Sequence, residues 1–195
     1  ADLRGVESMF MDLIDNPQMY LQAAETIIDN QIRFAAAQVE AGADMIGVGD
    51  AVASLVSPRM FEQYVLPFEK RLFDAIHKAG ATVKLHICGD VTNSVGLMAK
   101  TGCDVIDLDW MVPIAQSREA AGPDVTLCGN FDPAAVLLQS TAQEVADAAA
   151  RCIREGGQHF ILQPGCEVPP GTPEQNIRAF CPCDGCLIPD LLALA

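Results

Sequence analysis

The sequence is short of positive charge: twelve Lys and Arg stand against twenty-six Asp and Glu, for a formal net charge of −14. A chain this acidic has no surface suited to neutralising phosphate backbones and releasing their counterions, which excludes nucleic acid as its partner. It also lacks any run of about 18 uncharged apolar residues, and Ala1-Asp2-Leu3-Arg4 offers neither a basic n-region nor an apolar h-region, so no membrane partner and a cytoplasmic location are expected. Aromatic residues are scarce, at 6%. With 50% hydrophobic residues, the 195 residues suffice for one core and are too few for two full-sized domains. The eight Cys, about 4% of the chain, fall below the density of a small disulfide scaffold, and their irregular spacing points to reduced thiols or metal ligands. The absent initiator Met raises the expectation of a fragment.

What the chain does have is a recurring pair of patterns. Short apolar runs rich in β-branched residues occur at Met45–Gly49, Thr82–Ile87, Val105–Leu108, Val125–Cys128 and His159–Leu162, mostly apolar throughout, as in strands covered on both faces. Helical patterns lie between them. One runs from about Pro17 to Ala41, with Ile28, Ile32, Ala35 and Val39 on one face and Gly42 as its stop. Another opens at Ser57-Pro58, carries Phe61, Val65, Phe68, Leu72 and Ile76, and stops at Gly80; Pro67 should kink it. Thr141 with Glu144 forms a capping box for a helix that runs through about Ile153 and is closed by Gly156-Gly157, and Thr172-Pro173 with Gln175 starts a last one. Five alternations of strand and helix, without linker, repeat or low-complexity stretch, predict an α/β fold with a parallel sheet. Two architectures fit, an open doubly wound sheet or part of a (β/α)8 barrel.

Chemistry-bearing residues cluster where the strands end. Asp50 follows the first run; His86 and Cys88 close the second; Asp107 and Asp109 close the third; Asn130 and Asp132 follow the fourth; Gln163 and Cys166 follow the fifth. That is the edge at which parallel α/β folds build active sites, although a helix N-cap or a βα turn is the ordinary role of any one such Asp. Residues two apart on a strand share a face, so His86 and Cys88 can present to one ion; equally, a Cys can be a small buried hydrophobe and a strand-end His merely hydrogen-bonded. Cys166 stands at the tip of the Gly/Pro-stiffened loop Gln163-Pro164-Gly165-Cys166, well placed as a third ligand. Two thiolates and an imidazole suit Zn²⁺, and three protein ligands leave the open position of a catalytic site. Cys103, Cys128 and Cys152 read as packing residues, His77 as a helix-terminus cation, and His159 as lying at the edge opposite the site.

The motif His86-Ile87-Cys88-Gly89-Asp90, followed by Pro164-Gly165-Cys166-Glu167-Val168-Pro169-Pro170-Gly171-Thr172-Pro173, resembles the uroporphyrinogen decarboxylase superfamily, and within it the zinc-dependent methylcobamide:coenzyme M methyltransferases. The resemblance extends from about Met9 to Phe180 through Ala41-Gly42-Ala43-Asp44, Ser57-Pro58, Gly129-Asn130-Phe131-Asp132-Pro133 and Pro173-Glu174-Gln175-Asn176-Ile177-Arg178-Ala179. It implies a (β/α)8 TIM barrel with zinc on His86, Cys88 and Cys166. The implied activity transfers methyl from a methylated corrinoid, carried on a corrinoid protein, to a small thiol such as coenzyme M. Asp50, Asp107, Asn130 and Asp132 are candidate catalytic residues, and Gln163 and Asp109 candidate cofactor contacts. The alternatives are a decarboxylase acting on a tetrapyrrole, whose relatives lack this ligand set, and a truncated, non-catalytic scaffold that binds zinc or corrinoid.

A complete barrel needs about 250 residues. The expectation is therefore a partial barrel of about five βα units lacking the N-terminal strands, forming a single domain over residues 1–180 with a Cys-rich tail over 181–195. On a flat sheet the second and fifth strands would hold Cys88 and Cys166 about 14 Å apart at the backbone, so a shared ion demands barrel curvature. An open barrel side is expected either to self-associate as a homo-oligomer or to belong to a longer chain. The tail motif Cys181-Pro182-Cys183-Asp184-Gly185-Cys186 lies outside the family pattern and reads as free thiols or as a second soft-metal site.

Overall fold

The computed structural model describes residues 4–180, so the tail motif at Cys181, Cys183 and Cys186 lies outside the described residues. Two helices lead in. α1 (Val6–Asp15), for which the sequence reading has no counterpart, precedes α2 (Pro17–Glu40), whose first turn is capped by the Asn16 side chain accepting from the Met19 N–H at 3.3 Å. The strands β1 (Met45–Gly49), β2 (Thr82–Ile87) and β3 (Val105–Leu108) match their apolar runs. β4 (Thr126–Phe131) and β5 (Phe160–Pro164) reach further than expected at their carboxyl ends. Asn130 and Gln163 therefore stand within strands rather than after them, paired in register with each other. Their polar side chains disguise this, because each finds a partner that makes a strand position tolerable. His159 falls just outside β5, with φ at 56°.

All five strands are parallel, in the order β1-β2-β3-β4-β5. A doubly wound sheet reverses its strand order at a switch point, whereas here every crossover advances to the next neighbour, as in a barrel. The crossovers are α4 (Leu66–Ala79), α5 (Val95–Lys100), α6 (Ile114–Ala121) and α7 (Ala142–Gly156), with α8 (Glu174–Phe180) after β5. The short α3 (Pro58–Met60) runs into α4 through a π-helical turn over Phe61–Val65. This is the form the expected proline kink takes: Pro67 has no N–H for the carbonyl four residues back, and the helix widens just ahead of it. α7 has the full capping box between Thr141 and Glu144.

The core lies between the sheet and its helices. Val83, Leu85, Ile87, Ile106, Leu108 and Leu127 are fully buried, against Phe73 and Ile76 of α4, Met98 of α5 and Val145 of α7. The expected packing residues Cys103, Cys128 and Cys152 are all buried. Coverage of both strand faces holds for β3 but not for β2, where every second residue is only half-buried. Those residues face a cavity of about 580 Å³ on the concave side of the sheet. Met45 and Ile161 on the two outermost strands stay 44% and 45% exposed.

Candidate metal centre

The alternation of β2 puts Lys84 and His86 on the concave face, with Cys88 just beyond the strand end, and all three line the cavity. Cys166 arrives from the loop after β5. Curvature of the sheet brings this loop within reach: Cys88 Sγ and Cys166 Sγ are 4.0 Å apart, and His86 Nε2 lies 3.2 Å from the first sulfur and 3.9 Å from the second. A tetrahedral zinc with Zn–S near 2.3 Å and Zn–N near 2.05 Å requires edges of about 3.8 Å between sulfurs and about 3.6 Å from nitrogen to sulfur. The three donor atoms fit that triangle. They form the one group of three His, Cys, Asp or Glu ligand atoms lying within 4.8 Å of one another among the described residues.

The electrostatics fit a cation as well. Burial and the neighbouring Cys166 push the Cys88 thiol up, so the second sulfur resists ionisation until positive charge arrives. His86 Nδ1 donates to the Asp107 carbonyl at 3.1 Å; a carbonyl only accepts, so Nδ1 keeps its hydrogen and Nε2 is the nitrogen with a lone pair to offer a metal. The Asp107 carboxylate, with Oδ1 3.6 Å from Nδ1, raises His86 to about 9 against the opposing effect of burial. Burial would raise Asp107 itself, but His86, Lys84 and Gln163 together hold its carboxyl below the usual range. Asp107 Oδ2 lies 2.9 Å from Lys84 Nζ, and Gln163 bridges the pair, accepting from Lys84 at 3.2 Å and donating to Asp107 Oδ1. This is the carboxylate support that orients a ligating imidazole.

The other candidates have different surroundings. Asp109 is buried and accepts from Gly89 N–H at 2.8 Å and Met111 N–H at 3.1 Å, tying the loop after β2 to the loop after β3. The Asn130 amide donates to the carbonyls of Asp109 at 3.0 Å and Val112 at 2.5 Å, holding the same loop from β4. Asp132 caps the π-helical segment Pro133–Leu138, accepting from Ala134 at 2.8 Å and Ala135 at 2.9 Å. Asp50 lies apart from the cluster, on a smaller cavity of about 110 Å³ that it shares with Tyr20 and Tyr64. Of the sequence candidates, only Asp107 and Gln163 join the ligand triad on the large cavity. Lys84, which is not among the sequence candidates, joins them too. Its signal is the period-two series Lys84, His86, Cys88, which the apolar character of the rest of the strand hides.

The family model described as uroporphyrinogen decarboxylase matches residues 2–183. A methylcobamide:CoM methyltransferase of Methanosarcina acetivorans is 31% identical over 179 residues, which are 91% of this chain and 52% of that protein. One from Methanosarcina mazei is 36% identical over 80% of this chain and 45% of its own length. A uroporphyrinogen decarboxylase of Nocardia farcinica is 30% identical over 80% and 46%. Among solved structures, a methyltransferase from Methanosarcina mazei superposes with a TM-score of 0.83 at 28% identity, over 90% of this chain and 52% of that one. The chain thus spans about half the length of the curated relatives it matches.

Proposed function

The chain belongs to the uroporphyrinogen decarboxylase family, and from that premise we propose that its site serves methyl transfer from a methylated corrinoid, carried on a corrinoid protein, to a small thiol. His86, Cys88 and Cys166 would hold zinc. When bound, zinc supplies the charge that keeps an acceptor sulfur ionised near neutral pH. The observation that carries this reading is the meeting of two sulfurs and one imidazole nitrogen, from strand ends 78 to 80 residues apart, on an open cavity. The printed activity of the Methanosarcina relatives supports it.

The chain's own residues divide the remaining work. Asp107 fixes the imidazole with Nε2 toward the two sulfurs, and Lys84 and Gln163 hold Asp107 in turn. Asp109 and Asn130 brace the loops that carry Cys88 and Trp110, and Asp132 stabilises the turn after β4. The wide cavity beside the three donor atoms has room for an acceptor and for a donor approaching from the strand ends. Zinc analysis together with methylcobalamin-to-thiol transfer tests the proposal in wild type and Cys166→Ser. One more zinc per chain is expected in wild type than in the variant, whose transfer falls at least tenfold. Equal zinc content, or equal transfer, would sink the mechanism and leave the decarboxylase reading that the Nocardia relative supports.

A further inference from the structure

Asp50 stands apart from the cluster of His86, Cys88 and Cys166 and has surroundings of its own. The cavity of about 110 Å³ on which it lies shares no lining residue with the large one. Hydrocarbon makes up most of its wall, from Phe10 and Leu13 of α1 and from Val52 and Val56 after β1. Tyr20 and Tyr64 form a corner of it, their rings meeting edge to face with 6.1 Å between centroids and 85° between planes. Among the described residues Asp50 is the one charged residue on this wall; no side chain hydrogen-bonds to it, and it forms no ion pair. Glu69 stands four residues beyond Val65, which lines the cavity, and its two carboxylate oxygens are buried without a partner among the described residues. Burial, then the charges of Asp50 and Glu69, raise the Tyr20 phenol, so both carboxyls act on the aromatic corner.

Burial pushes the Asp50 carboxyl up, a cost that a cation beside it would offset. The acidic chain, at −14, concentrates cations around itself. The wall decides which kind of cation fits. A hard metal ion takes about six oxygen ligands, and among the described residues no group of three His, Cys, Asp or Glu ligand atoms forms here. An organic ammonium matches both parts of the wall: its N–H donates to a carboxylate, and its carbon atoms and diffuse charge suit aromatic rings. At about 30 Å³ for each water-sized group, the cavity has room for about four non-hydrogen atoms. We infer that this cavity is a second ligand site, which takes a small alkylammonium ion with its N–H on Asp50 and its carbon atoms against Phe10, Tyr20 and Tyr64.

Titration with isopropylammonium, its neutral isostere 2-propanol, and K⁺ in an amine-free buffer tests this, followed through the ring NMR signals of Tyr20 and Tyr64. Isopropylammonium should shift both rings saturably and bind about tenfold or more tightly than 2-propanol, as a charge-assisted hydrogen bond implies. Asp50→Asn keeps the shape and loses the charge, so it should bring isopropylammonium down to the affinity of 2-propanol. Phe10→Leu leaves the carboxylate in place and keeps the wall apolar; the lost ring should weaken isopropylammonium about threefold, with 2-propanol unaffected. Four results would each overturn the assignment: a wild type that binds the ammonium no better than the alcohol, K⁺ as tight as the ammonium at the same rings, an Asp50→Asn variant that keeps the preference, or a Phe10→Leu variant that binds the ammonium as wild type does.

Discussion

Glu69 of α4 is 6% exposed, and neither of its carboxylate oxygens has a hydrogen-bond partner among the described residues. Desolvation, reinforced by the charge of Asp50, raises its pKa from 4.5 to about 8. The folded state therefore holds this proton more tightly than the unfolded chain. Its contribution to stability is complete below pH 4.5 and is lost as pH rises toward 8. Glu69→Gln should match wild type in unfolding free energy from urea titration at low pH and exceed it by up to about 5 kcal/mol at pH 9. A constant difference across pH would show that the carboxyl does not titrate in this range. Nothing in the local sequence marks Glu69, which occupies an ordinary polar position in Leu66-Pro67-Phe68-Glu69; burial, decided by the packing of α4, makes it unusual. The candidate ligands were easier to read, because His86, Cys88 and Cys166 belong to chemically distinctive types standing at strand ends. Asp50 shares that placement and yet faces a different cavity, since a strand-end position limits a side chain to one edge of the sheet and does not fix its direction.

At the scale of elements, the loop after β5 is positioned by a close backbone approach. The Gly165 N–H donates to the Phe131 carbonyl at 2.9 Å, and a Cβ at Gly165 would run into the Trp110 backbone, with the Trp110 Cα at 2.7 Å. Gly165→Ala should therefore displace the loop that carries Cys166 while leaving β2 intact. Its zinc affinity, measured by competition against a chromogenic chelator, should fall about tenfold or more. Unchanged affinity would mean that the loop adjusts without moving Cys166. Strands and helices were legible because hydrophobic period and capping chemistry act locally: Thr141 and Glu144 announce α7, and Gly80, at φ 100°, ends α4. The carboxyl ends of β4 and β5 were not, because Asn130 and Gln163 are polar. Only their partners across the sheet, the carbonyls of Asp109 and Val112 for one and Lys84 and Asp107 for the other, make strand the better state.

For the whole molecule, a zinc ion on His86, Cys88 and Cys166 would join strand ends that the chain separates by 78 residues or more. A ligand that binds the folded state alone, at a concentration 100 times its Kd, adds about 2.7 kcal/mol. For a chain of this length that corresponds to roughly 5–10 °C in Tm. Thermal scans with and without a chelator should show a shift of this size in wild type and a much smaller one in Cys166→Ser; equal shifts would mean that the metal does not bridge β2 and β5.

By itself the sequence determined the alternation of strand and helix, the acidic character of the chain, and the residue types able to bind a soft metal. These depend on composition and on interactions within a few residues. Only the tertiary structure decided the sequential strand order and the curvature that carries Cys166 to 4.0 Å from Cys88. It also decided the meeting of Asp50 with Tyr20 and Tyr64 on a cavity of their own. Register between strands and closure of a sheet are set by packing summed over the whole core, and no local stretch of residues encodes them.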